Sequence, residues 1–152
     1  MMISIQPETI ERLYKIEKKC IEFIKWKPVI NNYEHFKFRV PIISINNDLL
    51  YWNAYYQKFG SGTIRYGFTL MYSKYCIRSW DMAKKHYSKK EGRYIRGVGR
   101  HKHYYLDYDT ERDTYEIPEG EISIIDCNQA VNDFANECNI KLIGGYQNKI
   151  FF

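Results

Sequence analysis

Apolar positions recur at helical spacing in two long stretches of this chain and alternate with polar positions in most of the rest. The first helical stretch runs from near Pro7 to Lys25. Ile10, Leu13, Cys20 and Ile24, with Ile16 and Phe23 beside them, form an apolar stripe. Lys15, Lys18, Lys19, Glu11 and Glu22 fill the other side. Pro7 suits the first helical position, where its missing N–H costs nothing, and Pro28 ends the run. The second helix follows Asp126. Ala130, Val131, Phe134, Ala135 and Cys138 share one face, Asp126 and Gln129 resemble a capping box, and Asn139 can close the helix in the left-handed conformation. A third, shorter helix is expected over "WDMAKKHYSKK", with Ser79 as N-cap, Asp81 in its first turn and Gly92 at its end.

Between the helices the pattern predicts strands. "FKFRVPIISI", residues 36–45, reads as a strand, with Pro41 marking an edge or a bulge because it removes one ladder donor. Asn46, Asn47 and Asp48 form a turn, and the aromatic content of "LLYWNAYYQKF" favours a returning strand over a helix. "GSG" at 60–62 breaks the chain before the strand "TIRYGFTLMY". "RYIRGVGRHKHYYLDYD", residues 93–109, and the "TYEI" after it read as strand, turn, strand around an acidic loop at 109–113. "EISIIDC", with Ile122, Ile124 and Ile125, is a strand for the last helix to pack on, and "IKLIGG" and "KIFF" are short strands. The expected fold is a single α+β domain over 1–152. It has a mostly antiparallel sheet, an N-terminal helix, a short central helix and a C-terminal helix packed on the sheet.

The chain has 152 residues and 45% hydrophobic content, which suits one ordinary domain with a core. Cys20, Cys76, Cys127 and Cys138 match no metal-binding spacing and are expected to be small buried thiols. No apolar run is long enough to span a bilayer and the first residues lack the pattern of an export signal, so a cytoplasmic location and no membrane partner are expected. Tyr, Ile, Lys, Asn and Phe are abundant and Ala and Pro scarce, a usage common in AT-rich phage and mobile-element genes.

Charge changes the picture most. Residues 1–83 hold twelve Lys and Arg against seven Asp and Glu. Residues 84–102 hold eight against Glu91 alone, and residues 103–152 hold three against ten. Such segregation points to a polyanion-facing side and an acidic side. The candidate binding residues are Lys84, Lys85, Lys89, Lys90, Arg93, Tyr94, Arg96, Arg100, Lys102 and Tyr104. Cations neutralise phosphates, and tyrosine rings give bases a surface to stack on.

Two other chemistries compete for the same stretch. His101, His103, Tyr105, Asp107 and Asp109 alternate onto one strand face, but His103 and Asp107 stand roughly 13 Å apart along a strand, too far for one ion to collect both pairs. Arg96-Gly97-Val98-Gly99-Arg100 is neither a P-loop nor a dinucleotide fingerprint. No nucleophile elbow or zinc-protease motif occurs, and Asp126 is explained by its cap position before Glu119, Glu121 or Asp126 need be assigned to a nuclease. The expectation is therefore a non-enzymatic protein, without cofactor, that contacts a nucleic acid or nucleoprotein complex. A phage or mobile-element regulator or inhibitor of the anti-CRISPR kind would fit. A basic protein partner could dock on the acidic segment 107–126. A small metal-dependent nuclease and a structural or assembly protein are the alternatives.

Overall fold

The computed structural model describes residues 6–29, 32–83, 86–88, 93–95, 99–105, 112–116 and 126–149, and within 81–116 it describes backbone strands alone. Helix α1 spans Pro7–Lys15 and α2 spans Cys127–Glu137. Among the described residues eleven strands accompany them. The first six are β1 (Lys18–Cys20), β2 (Lys27–Val29), β3 (Asn32–Ser44), β4 (Leu49–Lys58), β5 (Ile64–Tyr72) and β6 (Tyr75–Ala83). They are followed by β7 (His86–Ser88), β8 (Arg93–Ile95), β9 (Gly99–Tyr105), β10 (Arg112–Glu116) and β11 (Ile140–Leu142).

Nine of these strands form one sheet in the order β10-β9-β6-β5-β4-β3-β1-β11, with β2 also paired to β3, while β7 and β8 pair separately. Neighbouring strands run antiparallel, except that β1 and β11 are parallel. This is the expected α+β class with a mostly antiparallel sheet.

Strict alternation divides β3, β4 and β5 into two faces. Phe38, Val40, Ile42, Leu50, Trp52, Ala54, Tyr56, Tyr66, Phe68 and Leu70 are buried on the inner face. A row of rings crosses it from strand to strand. Trp26 meets Phe38 at 4.7 Å, Phe38 meets Trp52 at 5.3 Å, Trp52 meets Phe68 at 6.1 Å and Phe68 stacks on Trp80 at 5.4 Å. Helix α2 lays Phe134 over this row, 5.5 Å from Trp52 and 5.3 Å from Phe68. Its predicted stripe of Ala130, Val131, Phe134, Ala135 and Cys138 is buried throughout, and Asp126 caps it by accepting from the backbone N–H of Asn128 and Gln129. The reciprocal half of a capping box is replaced, since the Gln129 amide donates to Asp133. Asn139 closes the helix at φ 55°, as expected.

Helix α1 packs on the same inner face, with Ile10 and Leu13 buried and the Tyr14 ring 3.9 Å from the Arg78 guanidinium. It ends ten residues before the predicted Lys25. The backbone turns extended at Ile16, and Lys18–Cys20 becomes a strand between β3 and β11. Lys18 is therefore not on a solvated helix face. It is fully buried, and its ammonium donates to the carbonyls of Tyr14 (2.9 Å), Ile16 (2.7 Å) and Cys138 (2.5 Å), gathering the ends of both helices.

Two further corrections concern the middle of the chain. The predicted central helix is strand where it is described: Ser79 and Trp80 lie inside β6, and His86–Ser88 is β7. Ser79 faces Thr69 across the ladder, and Trp80 faces Phe68, so sheet pairing on both sides of β6 overrides the helix signal. Pro41 does not mark an edge strand. Ser44 N–H points to β4 and Ile45 N–H to the β1 side, so by alternation the nitrogen of Pro41 points away from β4. On that side β1 has ended at Ile43 and β2 begins at Lys37, so no partner strand lacks a bond. The strand expected at Ile122, Ile124 and Ile125 lies outside the described residues, as does most of "KIFF". All four cysteines are buried thiols, as expected. Among the described residues no helix is long and apolar enough to cross a membrane.

Candidate functional site

Both described helices pack on the inner face, so among the described residues the outer face of the sheet carries no helix. In β3 the sequence "HFKFRV" alternates: Phe36 and Phe38 turn inward, while His35, Lys37 and Arg39 turn outward. Strand pairing adds to this face. Lys27 of β2 is registered against Lys37, and Lys19 of β1 lies between Ile43 of β3 and Lys141 of β11. Arg65 of β5 stands opposite Gln57, which stands opposite His35. Lys19, Lys27, Lys37, Arg39 and Lys141 are exposed and Arg65 is half-buried.

The outer positions between these cations are Tyr51, Asn53, Tyr55, Gln57 and Thr69, all half-buried, with apolar Ile43, Leu49 and Met71. No Asp or Glu occupies an outer strand position from β11 to β5 among the described residues. Across the sheet, one polar row runs Arg39, Asn53, Thr69, Ser79, His103, Thr114 in direct register. Lining a sheet with cations in this way costs little in water, and the field of such a cluster attracts polyanions.

At one end of this face a shallow groove of about 490 Å³ opens between the β3–β4 and β5–β6 turns. Arg39, Tyr51, Asn47, Asp48, Tyr72 and Ser73 line it. The Arg39 guanidinium sits 4.3 Å from the centre of the Tyr51 ring. Asp48 is fixed from behind: Arg12 donates to its Oδ2 at 3.0 Å and the Ser44 hydroxyl at 2.7 Å. The Arg12 hydrogen bond, with that of Ser44, holds the Asp48 carboxyl below its ordinary pKa, so it is ionised at neutral pH.

The residues singled out from the sequence are distributed differently. Arg100, Lys102 and Tyr104 occupy one face of β9, registered against Met82, Trp80 and Asp113, which is the inner face of the sheet. His101 and His103 are registered against Asp81 and Ser79 and belong to the outer face. Arg93 and Tyr94 lie on β8, in the separate β7–β8 pair, which lies against β10. Lys84, Lys85, Lys89, Lys90, Arg96, Asp107 and Asp109 lie outside the described residues. Among the described residues no three His, Cys, Asp or Glu side chains converge on a possible metal position. The outer-face cations were not among the sequence candidates, although the basic–apolar alternation at 35–40 was a visible signal for two of them.

Comparison with known proteins gives no match: none among family models, none among curated proteins and none among solved structures.

Proposed function

We propose that this chain is a non-enzymatic binding protein that holds a nucleic acid, free or within a nucleoprotein complex, on the outer face of its sheet. The observation that carries the reading is the set of six cations, Lys19, Lys27, Lys37, Arg39, Arg65 and Lys141, on one face that from β11 to β5 bears no helix and no outer-strand carboxylate among the described residues. Phosphates are bound by displacing counterions, and a surface of this kind supplies the charge. Tyr51 and Tyr55 stand among the cations, where sequence-tolerant stacking on bases adds to the affinity. The AT-rich usage fits a small phage or mobile-element regulator or inhibitor of host defence.

The test is fluorescence anisotropy of labelled oligonucleotides over a series of salt concentrations. Binding should weaken with salt, and the combined change Lys37→Ala, Arg39→Ala, Arg65→Ala should flatten the log–log slope by about 2 to 3 if each cation meets one phosphate. An unchanged slope in a variant that melts normally would remove this face from the interaction. Binding of anionic vesicles with no binding of oligonucleotides would replace the nucleic acid by a lipid surface.

A further inference from the structure

We infer that the nucleic acid is single-stranded and that the groove between the β3–β4 and β5–β6 turns receives one of its unpaired bases. The inference rests on the nucleic-acid reading of the outer face and specifies its ligand.

The argument begins with the mismatch between the groove and the face it joins. Arg39 and Tyr51 belong to both, so the two surfaces are continuous. The face is cationic, but the groove is lined by the ionised Asp48, held in place by Arg12 and Ser44. That carboxylate, its charge already paired with Arg12, offers a phosphate no attraction, while it can still accept hydrogen bonds from the amino and imino groups on the edges of bases. Asn47 and Ser73 add an amide and a hydroxyl that can read such an edge. The walls supply stacking surfaces: the Tyr51 ring with the Arg39 guanidinium over it, and Tyr72. Arginine planes and aromatic rings are the usual partners of splayed-out bases. The groove, at about 490 Å³, has room for one base with its sugar. In a duplex the Watson–Crick edges and both ring faces are already occupied, so a duplex could use the cations but could not stack a base in the groove.

The experiment compares one labelled sequence as a single strand and as a duplex, against the wild-type chain, Tyr51→Leu, Tyr51→Phe and the triple cation variant, with melting curves for each. The single strand should bind more tightly than the duplex. Tyr51→Leu should weaken single-strand binding by roughly 5- to 150-fold, the usual effect of losing one stacking ring, while its salt slope stays that of the wild type. Tyr51→Phe keeps the ring and should bind like the wild type. Equal affinity for the two forms, with Tyr51→Leu harmless and the triple variant impaired, would overturn the groove while leaving the nucleic-acid reading in place. Failure of the wild type to bind either form would overturn both.

Discussion

The ammonium of Lys18 donates to the carbonyl of Cys138 at 2.5 Å, joining two residues 120 positions apart in the chain. The same nitrogen serves Tyr14 and Ile16, so the ends of α1 and α2 share a single cation. A lysine has three donors and here all three are used.

Lys18→Met keeps the length of the side chain and removes those donors. It should lower stability at pH 7 by about 1–3 kcal/mol, because one buried and two partly buried carbonyls lose this partner. Urea denaturation of both proteins measures the difference.

The same residue gives a pH dependence. Burial pulls the Lys18 ammonium down from its ordinary 10.5 to about 8. The unfolded chain then holds the proton through a window where the folded chain has released it, so this group makes stability rise with pH between about 8 and 10.5. The stability gap between wild type and Lys18→Met should widen across that window. A constant gap from pH 7 to 10 would show that the amine titrates normally.

Phe134→Ala should cost about 3–5 kcal/mol, the usual effect of emptying a large core position. Phe134 is fully buried and touches Trp52 and Phe68, so no solvent can take its place without wetting the aromatic row. An unchanged melting temperature would mean that α2 is not docked on the sheet.

Asn128 ties the tail to the fold. Its amide accepts from Tyr146 Oη at 2.6 Å and from the Lys149 N–H at 3.0 Å, and it donates to the Lys149 carbonyl at 2.9 Å. Tyr146 in turn accepts from Trp26 Nε1 at 2.7 Å. Asn128→Ala should lower stability by about 1–3 kcal/mol, through the partners left unpaired. Hydrogen exchange at residues 145–149 should rise more than exchange in β4.

Gly144 is fixed by its surroundings. A Cβ there would collide with the backbone of Ile21 and Glu22, atoms that no rotamer change can move aside. Gly144→Ala should therefore separate β11 from the chain following β1 and lower the melting temperature, whereas Gly60→Ala, with open space around it, should leave it nearly unchanged.

The parts of the fold legible in the sequence are those where one face meets the core and the other meets water. β3 and β4 alternate for this reason, and the stripe of α2 has its period because only one side of that helix is buried. β6 failed the same test. Residues 75–80 are all buried, so no period is left to read, and the Ser79-Trp80-Asp81 signal of a helix start stood uncontested. Lys18 was misplaced because Leu13, Cys20 and Ile24 fit a helical stripe as well as they fit a helix followed by a strand. The candidate face was missed for a different reason. Its cations come from β1, β2, β3, β5 and β11, and only strand pairing makes them neighbours. The dense basic run at 84–102 held far more charge in any single window.

The parallel pairing of Lys18 with Ile140 also bears on how the chain reaches this state. The β3–β6 meander closes through hairpins between consecutive strands, contacts that form early. The seam between β1 and β11 must wait for everything in between, and such long-range closures are the slow ones. A chain that has closed the meander but not this seam would expose the ring row that Phe134 covers. Aggregation should therefore compete with folding at this last step, and the folding yield of this chain should depend on its concentration more than on its equilibrium stability.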